Sequence, residues 1–210
     1  MKRLAADHQD FILPVPAFTV ARFLAHYELF KRAMKVPGCI VDIGVGCGAS
    51  TFAFAKMCRI FEPHDPSRCV YGFDTFTGFP SIAKQDGAGA YSHVGEYNYG
   101  AVTQDRAGLP IEFYKGDIEQ TVPAWASANP DRKIALLNLD ADLYYPTKVA
   151  LHALYPLMSP GGIIIVDEYD VAEFPGEKKA VDEFFMEVCG HPPVVVRFPW
   201  YNNPSGYIQL

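Results

Sequence analysis

The chain has 210 residues, 50% of them hydrophobic and 20% charged, with a formal net charge of −6. That length suits a single α/β domain with a large core spanning residues 1–210, and the mild acidity argues against nucleic acid or an anionic membrane as the main partner. No apolar stretch approaches the ~20 residues of a spanning helix, Met1–His8 is charged too early for a signal peptide, and five cysteines without a Cys-x-x-Cys pair fit a reducing, cytoplasmic compartment.

Residues 17–34 read as a helix, with Val20, Leu24, Tyr27, Phe30 and Met34 on one face, closed by Pro37-Gly38. Strands and helices then alternate. Cys39–Ile43 is a strand, followed by a glycine-rich turn and a helix over about Ser50–Phe61. Cys69–Phe73, Ile111–Lys115, Ile134–Leu139 and Gly162–Val166 are the next four strands. Ala150, Leu151, Leu154, Leu157 and Met158 line one face of a helix that stops at Ser159-Pro160-Gly161-Gly162. A last helix covers about Glu177–Val188, with Ala180, Val181, Phe184, Phe185 and Val188 inward. Val194–Phe198 and Gly206–Leu210, joined by Asn202-Asn203-Pro204-Ser205, predict an antiparallel hairpin at the C-terminal end. The alternation predicts a doubly wound, mostly parallel, Rossmann-like sheet. Residues 81–110 break it: glycine-rich and polar, with Tyr91, His93, Tyr97 and Tyr99, they read as a lid over the ligand crevice or as a surface insertion.

The turn Asp42-Ile43-Gly44-Val45-Gly46-Cys47-Gly48-Ala49-Ser50 follows a strand and opens a helix, where glycines bring backbone amides close to a ligand. It satisfies the dinucleotide pattern G-x-G-x-x-[G/A], which alone is weak. Two details favour S-adenosylmethionine over NAD. Gly44, Gly46 and Gly48 make the tighter G-x-G-x-G form, and Asp42 is placed to receive an ammonium, directly or through water, although it also fits as a partner of loop amides. Asp74, with Thr75 after it, closes the second strand at about the ~20-residue spacing expected of a ribose-binding acid. Asp117 and Ile118, after the third strand, are placed to meet the adenine amine and ring, although Gly116-Asp117 is also an ordinary turn.

The fourth and fifth strands end in carboxylates: Asp140-Ala141-Asp142 and Asp167-Glu168-Tyr169-Asp170. Strand ends of an open α/β sheet form its ligand crevice, and acids brought there by two strands can converge on one hard cation such as Mg²⁺. Hydride transfer has no need of such a set. Taken singly, each acid also fits as a helix cap.

Four segments in order, Asp42-Ile43-Gly44-Val45-Gly46, Phe73-Asp74-Thr75-Phe76-Thr77-Gly78-Phe79-Pro80, Leu139-Asp140-Ala141-Asp142-Leu143-Tyr144-Tyr145-Pro146-Thr147 and Gly161-Gly162 with Val166-Asp167-Glu168-Tyr169, resemble the macrocin O-methyltransferase-like family. The resemblance runs from about residue 38 to residue 186. It implies a class I methyltransferase fold with a seven-stranded sheet, S-adenosylmethionine as cofactor, a possible homodimer, and methylation of sugar hydroxyls on antibiotic scaffolds. It also implies Mg²⁺ held by Asp140, Asp167 and Glu168, the last standing where the family more often has aspartate. Asp142 would orient that site or cap the next helix. The expected reaction is O-methylation of a small acceptor with vicinal hydroxyls. Asp140 would touch metal and cofactor and take the proton. A catechol acceptor, an NAD-dependent oxidoreductase and a non-catalytic S-adenosylmethionine-binding subunit are the rival readings.

Overall fold

Three central strands are buried along almost their whole length, which is how parallel strands covered on both faces must look. In the computed structural model the described residues are 14–91, 97, 98, 100, 108–201 and 203–210. They form helix α1 (Ala17–Ala33), strand β1 (Cys39–Ile43), helix α2 (Ala49–Phe61), strand β2 (Val70–Asp74), a 3₁₀ turn (Lys84–Asp86) running into the short helix α3 (Gly87–Tyr91), strand β3 (Ile111–Lys115), helix α4 (Ile118–Ala128), strand β4 (Ile134–Leu139), helix α5 (Tyr144–Leu154), strand β5 (Met158–Val166), helix α6 (Pro175–Cys189) and strand β6 (Gly206–Gln209). The sheet order is β3-β2-β1-β4-β5-β6, parallel except for β6, which runs antiparallel to β5 with Ile164 opposite Ile208. The chain winds from β1 outward to β3 on one side and from β4 outward on the other. Their divergence opens a crevice at the carboxyl ends of β1 and β4.

Alternation along the strands splits the core into two layers. Val41, Ile43, Leu137, Leu139, Ile164 and Val166 pack with α4, α5 and α6 on one face. Ile40, Leu136, Ile163 and Ile165 pack with Leu29, Phe30 and Ala33 of α1 and Phe54, Ala55 and Met57 of α2 on the other. None of the described helices is long and apolar enough to cross a membrane.

The structure corrects the sequence reading at several places. Among the described residues the sheet has six strands, not seven. Instead of a terminal hairpin, the segment around Val196 makes one antiparallel bridge to Tyr207 (N–O 2.8 and 2.9 Å). Pro192, Pro193 and Pro199 remove ladder donors there, and Val194 is 76% exposed, with no layer above it to favour a strand. Helix α4 has no counterpart among the elements expected from the sequence; it carries Pro123 inside it, yet Ile118, Val122 and Trp125 bury one face at helical spacing. Strand β5 begins at Met158 and runs through the glycine-proline cluster expected to precede it. The buried stripe of α1 is rotated from the predicted one. It consists of Ala25, His26, Leu29, Phe30 and Ala33, while Leu24 is exposed. Val188, expected inside α6, is exposed as well.

Of the predicted lid, the described part is anchored rather than loose. Asp86 is buried, and its carboxylate accepts hydrogen bonds from the backbone N–H groups of Ala83 (2.7 Å) and Tyr144 (2.6 Å). Gly176 is required beside it, because a Cβ would overlap the Asp86 carboxylate. This pins the 3₁₀ turn to the starts of α5 and α6. His93 and Tyr99 lie outside the described residues.

Candidate active site

The crevice holds a cavity of about 330 Å³ lined by the loops after β1, β2, β3, β4 and β5, by Arg22 of α1 and by Asn203. The glycine-rich turn forms its floor. Gly44, at φ +87°, must be glycine, because a Cβ there would overlap the carbonyl of Asp140. The loops after β1 and β4 therefore cross in direct contact, with Asp140 N–H donating to the carbonyl of Ile43 at 2.9 Å.

Asp42 does not reach the cavity wall. It is fully buried beneath the turn and accepts hydrogen bonds from Ser50 Oγ (2.9 Å), Thr51 Oγ1 and Asn138 Nδ2 (2.8 Å). Burial pushes its carboxyl above the usual range, against the pull of those three donors. It ties β1, β4 and the start of α2 together. The expectation that it meets a cofactor ammonium directly is thus corrected: its oxygens are taken from inside.

Gly44, Gly46, Ser50, Asp74, Thr75, Asp117, Ile118 and Asp140 do line the cavity. Gly48 stands just behind, as the left-handed N-cap of α2 (φ +93°). Asp74 accepts from Gly46 N–H (2.8 Å) and Phe76 N–H (2.6 Å), which locks the second loop to the first. Asp117 is the N-cap of α4, accepting from Glu119 N–H at 3.0 Å. Gly116-Asp117 is thus more than an ordinary turn, and Asp117 also borders the cavity.

In the same cavity four carboxylates, Asp140, Asp142, Asp167 and Glu168, crowd together. Oxygens of Asp140, Asp142 and Glu168 lie within 4.8 Å of one another. Asp142 enters this set with φ +62°, a left-handed backbone that aspartate tolerates better than most residues. Asp167, expected among the metal ligands, stands beside the trio with Oδ2 engaged by Arg22 (3.0 Å) and Asn203 Nδ2 (3.0 Å). The predicted set Asp140, Asp167 and Glu168 is brought to one place, but the oxygens that converge include Asp142 instead of Asp167.

Burial and neighbouring Asp167 raise both Asp140 and Glu168, the latter to about 7. Below them Glu177, fully buried, accepts from Glu168 N–H at 3.0 Å, and burial followed by Asp167 holds it well above the ordinary carboxylate range. A cluster that resists ionisation this strongly is short of positive charge. All its donors are hard oxygens, so it fits Mg²⁺ chemistry.

The sequence reading missed three residues. Arg22 bridges Asp140 (2.8 Å) and Asp167 (3.0 Å), and Asn203 binds Asp167, Glu168 (3.3 Å) and Arg22. Burial opposes the Arg22 charge, but Asp140 and Asp167 outweigh it and hold its pKa above even the usual arginine value. Glu177 lay within a predicted helix with no sign of its place. Arg22 did carry a signal: it lies four residues before His26 and seven before Leu29, on the stripe that α1 buries.

Part of the wall is aromatic. Phe79, Tyr97 and Phe174 line the cavity, with Phe79 5.1 Å from Tyr97 and 6.5 Å from Phe174 between ring centroids. Trp200 instead packs against Phe198 (5.1 Å between ring centroids) and stacks on Tyr201 (6.3 Å), and neither Trp200 nor Tyr201 lines the cavity.

Residues 27–190 match the family described as macrocin O-methyltransferase (TylF). The chain belongs to this family. Mycinamicin III 3''-O-methyltransferase of Micromonospora griseorubida is 30% identical over 163 residues, covering 71% of this chain and 61% of that protein. The crystal structure of CalS11, a calicheamicin methyltransferase, superposes with a TM-score of 0.84 at 29% identity, covering 97% of this chain and 85% of that one. The apo structure of CalS11, described as a TDP-rhamnose 3'-O-methyltransferase of calicheamicin biosynthesis, gives 0.73 at 31% identity, covering 97% and 86%. The chain spans less than two thirds of the length of the curated relatives it matches. In this macrocin O-methyltransferase family member the glycine turn, the Asp74 loop and the strand-end acids all open onto one cavity.

Proposed function

We propose that the protein is an S-adenosylmethionine- and Mg²⁺-dependent O-methyltransferase acting on a hydroxyl of a small, sugar-like acceptor with vicinal hydroxyls, in natural-product or glycan modification. The observation that carries this is the convergence of Asp140, Asp142 and Glu168 on the same cavity that the glycine-rich turn lines. Family membership and the name of CalS11, which acts on a nucleotide-linked rhamnose, support a sugar acceptor.

Asp140, Glu168 and Asp167 or Asp142 would hold the ion, which supplies Lewis-acid lowering of a bound hydroxyl's pKa. The chain itself does the rest. The Gly44–Gly46 backbone and Asp74 hold the cofactor's amino acid and ribose ends, and Asp117 with Ile118 faces the adenine. Asp140, raised by burial and by Asp167, accepts the proton as the acceptor oxygen bonds to the methyl carbon and the carbon–sulfur bond breaks, leaving S-adenosylhomocysteine. Phe79, Tyr97 and Phe174 offer ring faces to the acceptor and exclude water.

The test is calorimetric titration of metal-stripped protein with S-adenosylmethionine and, in parallel, NADH, followed by methyl transfer to TDP-rhamnose, a methyl glycoside and catechol with and without Mg²⁺. Binding of the sulfonium cofactor alone, with Mg²⁺-dependent transfer to a sugar diol, is the expected result. NADH binding, or transfer indifferent to chelator, would overturn it. Transfer to catechol alone would move the acceptor class but leave the chemistry.

A further inference from the structure

Arg22 is the only cation among the described residues that line the cavity, and it is spent on the acids. It comes from α1, 118 residues before Asp140 and 145 before Asp167. Its two terminal nitrogens do not fork onto one carboxylate, the usual arrangement of an arginine–carboxylate pair. Nη2 donates to Asp140 Oδ2 at 2.8 Å while Nη1 donates to Asp167 Oδ2 at 3.0 Å, so one positive group bridges acids carried by two different strands. Asn203 fixes the bridge from the opposite side, bonding Nη1 through its oxygen and Asp167 through its nitrogen. Asp140 thus belongs to two sets at once: the guanidinium pair with Asp167, and the oxygen cluster with Asp142 and Glu168.

We propose that Arg22 is a tethered stand-in for the divalent ion. It aligns and neutralises Asp140 and Asp167 while the metal is absent, and it must release at least one of them when the metal enters. This rests on the metal-dependent reading of the site. Two consequences follow. A like charge a few ångströms from an incoming cation weakens its binding, so Arg22 sets the metal affinity below what the carboxylates would give. Release of the guanidinium also removes the polar anchor of the first turns of α1, coupling metal occupancy to the mobility of that helix.

The experiment uses the metal-stripped full chain as wild type, Arg22→Gln, Arg22→Lys and Asp140→Asn. Mg²⁺ affinity is read by calorimetry and amide hydrogen exchange over residues 17–25 is read with and without Mg²⁺. Arg22→Gln is expected to bind Mg²⁺ at least about tenfold more tightly than wild type, with Arg22→Lys in between. Exchange in α1 is expected to quicken on adding Mg²⁺ to wild type, and to be fast already in metal-free Arg22→Gln. Equal or weaker Mg²⁺ binding by Arg22→Gln, while Asp140→Asn abolishes it, would overturn this inference and leave the metal site standing, with Arg22 a plain anchor for α1. Tighter binding without any Mg²⁺-induced change in α1 exchange would overturn the release step. Absence of Mg²⁺ binding in wild type would remove the metal reading and this inference together.

Discussion

At the residue scale, two positions carry consequences that can be measured directly. Gly44 combines a left-handed φ with contact against the Asp140 backbone. Gly44→Ala should lower stability by roughly 3 kcal/mol through overpacking and backbone strain. It should also abolish cofactor binding by pushing the two loops apart; chemical denaturation and calorimetry read the two effects separately. Asp140→Asn keeps the shape but removes the proposed proton acceptor and one negative charge. Methyl transfer should fall by about 10²–10⁴-fold, measured as turnover at saturating S-adenosylmethionine, while the fold survives because Asp140 already sits among like charges.

At the scale of elements, α4 depends on the N-cap that precedes it. Asp117 accepts from Glu119 N–H, and Asp117→Ala should cost about 1 kcal/mol in denaturant unfolding, the usual loss for a cap. Asp117→Asn, which still caps, should recover most of it. Helix α1 is held by His26, buried against Phe54 at 5.1 Å between ring centroids. Burial, then the nearby Arg22 charge, lowers its pKa to about 4. Because that lies below the ordinary 6.5, the unfolded chain binds the extra proton first as pH falls. The neutral ring's contribution is therefore complete above about pH 6.5 and is lost on descending to about 4, a change of roughly 3 kcal/mol. Glu168, raised to about 7, acts in the opposite sense: in the metal-free protein it destabilises above that pH and less so below it. The histidine effect is therefore read as the difference between wild type and His26→Leu across pH 4–7, where wild type should lose stability relative to the variant.

For the whole molecule, the cavity is walled by five different strand-end loops, so a ligand that fills it ties both halves of the sheet together. S-adenosylhomocysteine at a hundredfold excess over its dissociation constant should stabilise the fold by about 2.7 kcal/mol, seen as a rise in unfolding temperature that NADH does not produce. The acids and Arg22 make the same point electrostatically. They are contributed by β4, β5, α1 and the segment before β6, and no single element holds a complete site.

The sequence by itself determined the central sheet. Cys39–Ile43 and Ile134–Leu139 were legible to the residue, because a fully buried, mostly apolar run bounded by turns has few other places to go. It also determined the loops: a glycine turn, an acid closing β2 and acids closing β4 and β5 are local features fixed by neighbours in the chain. Helix α4 is hard to read because only three buried residues mark its face and Pro123 lies inside it, and the strand expected over Val194–Phe198 does not form because Val194 and Val196 look like strand residues but have no layer to pack beneath. Tertiary structure alone decided which acids meet. Asp42 turned inward, Asp142 turned toward Glu168, and Asp167 was claimed by Arg22 and Asn203. Those outcomes depend on contacts between residues up to 145 positions apart. Pattern and propensity describe a residue's own element, whereas the charge and donors that face it are set by how the elements pack.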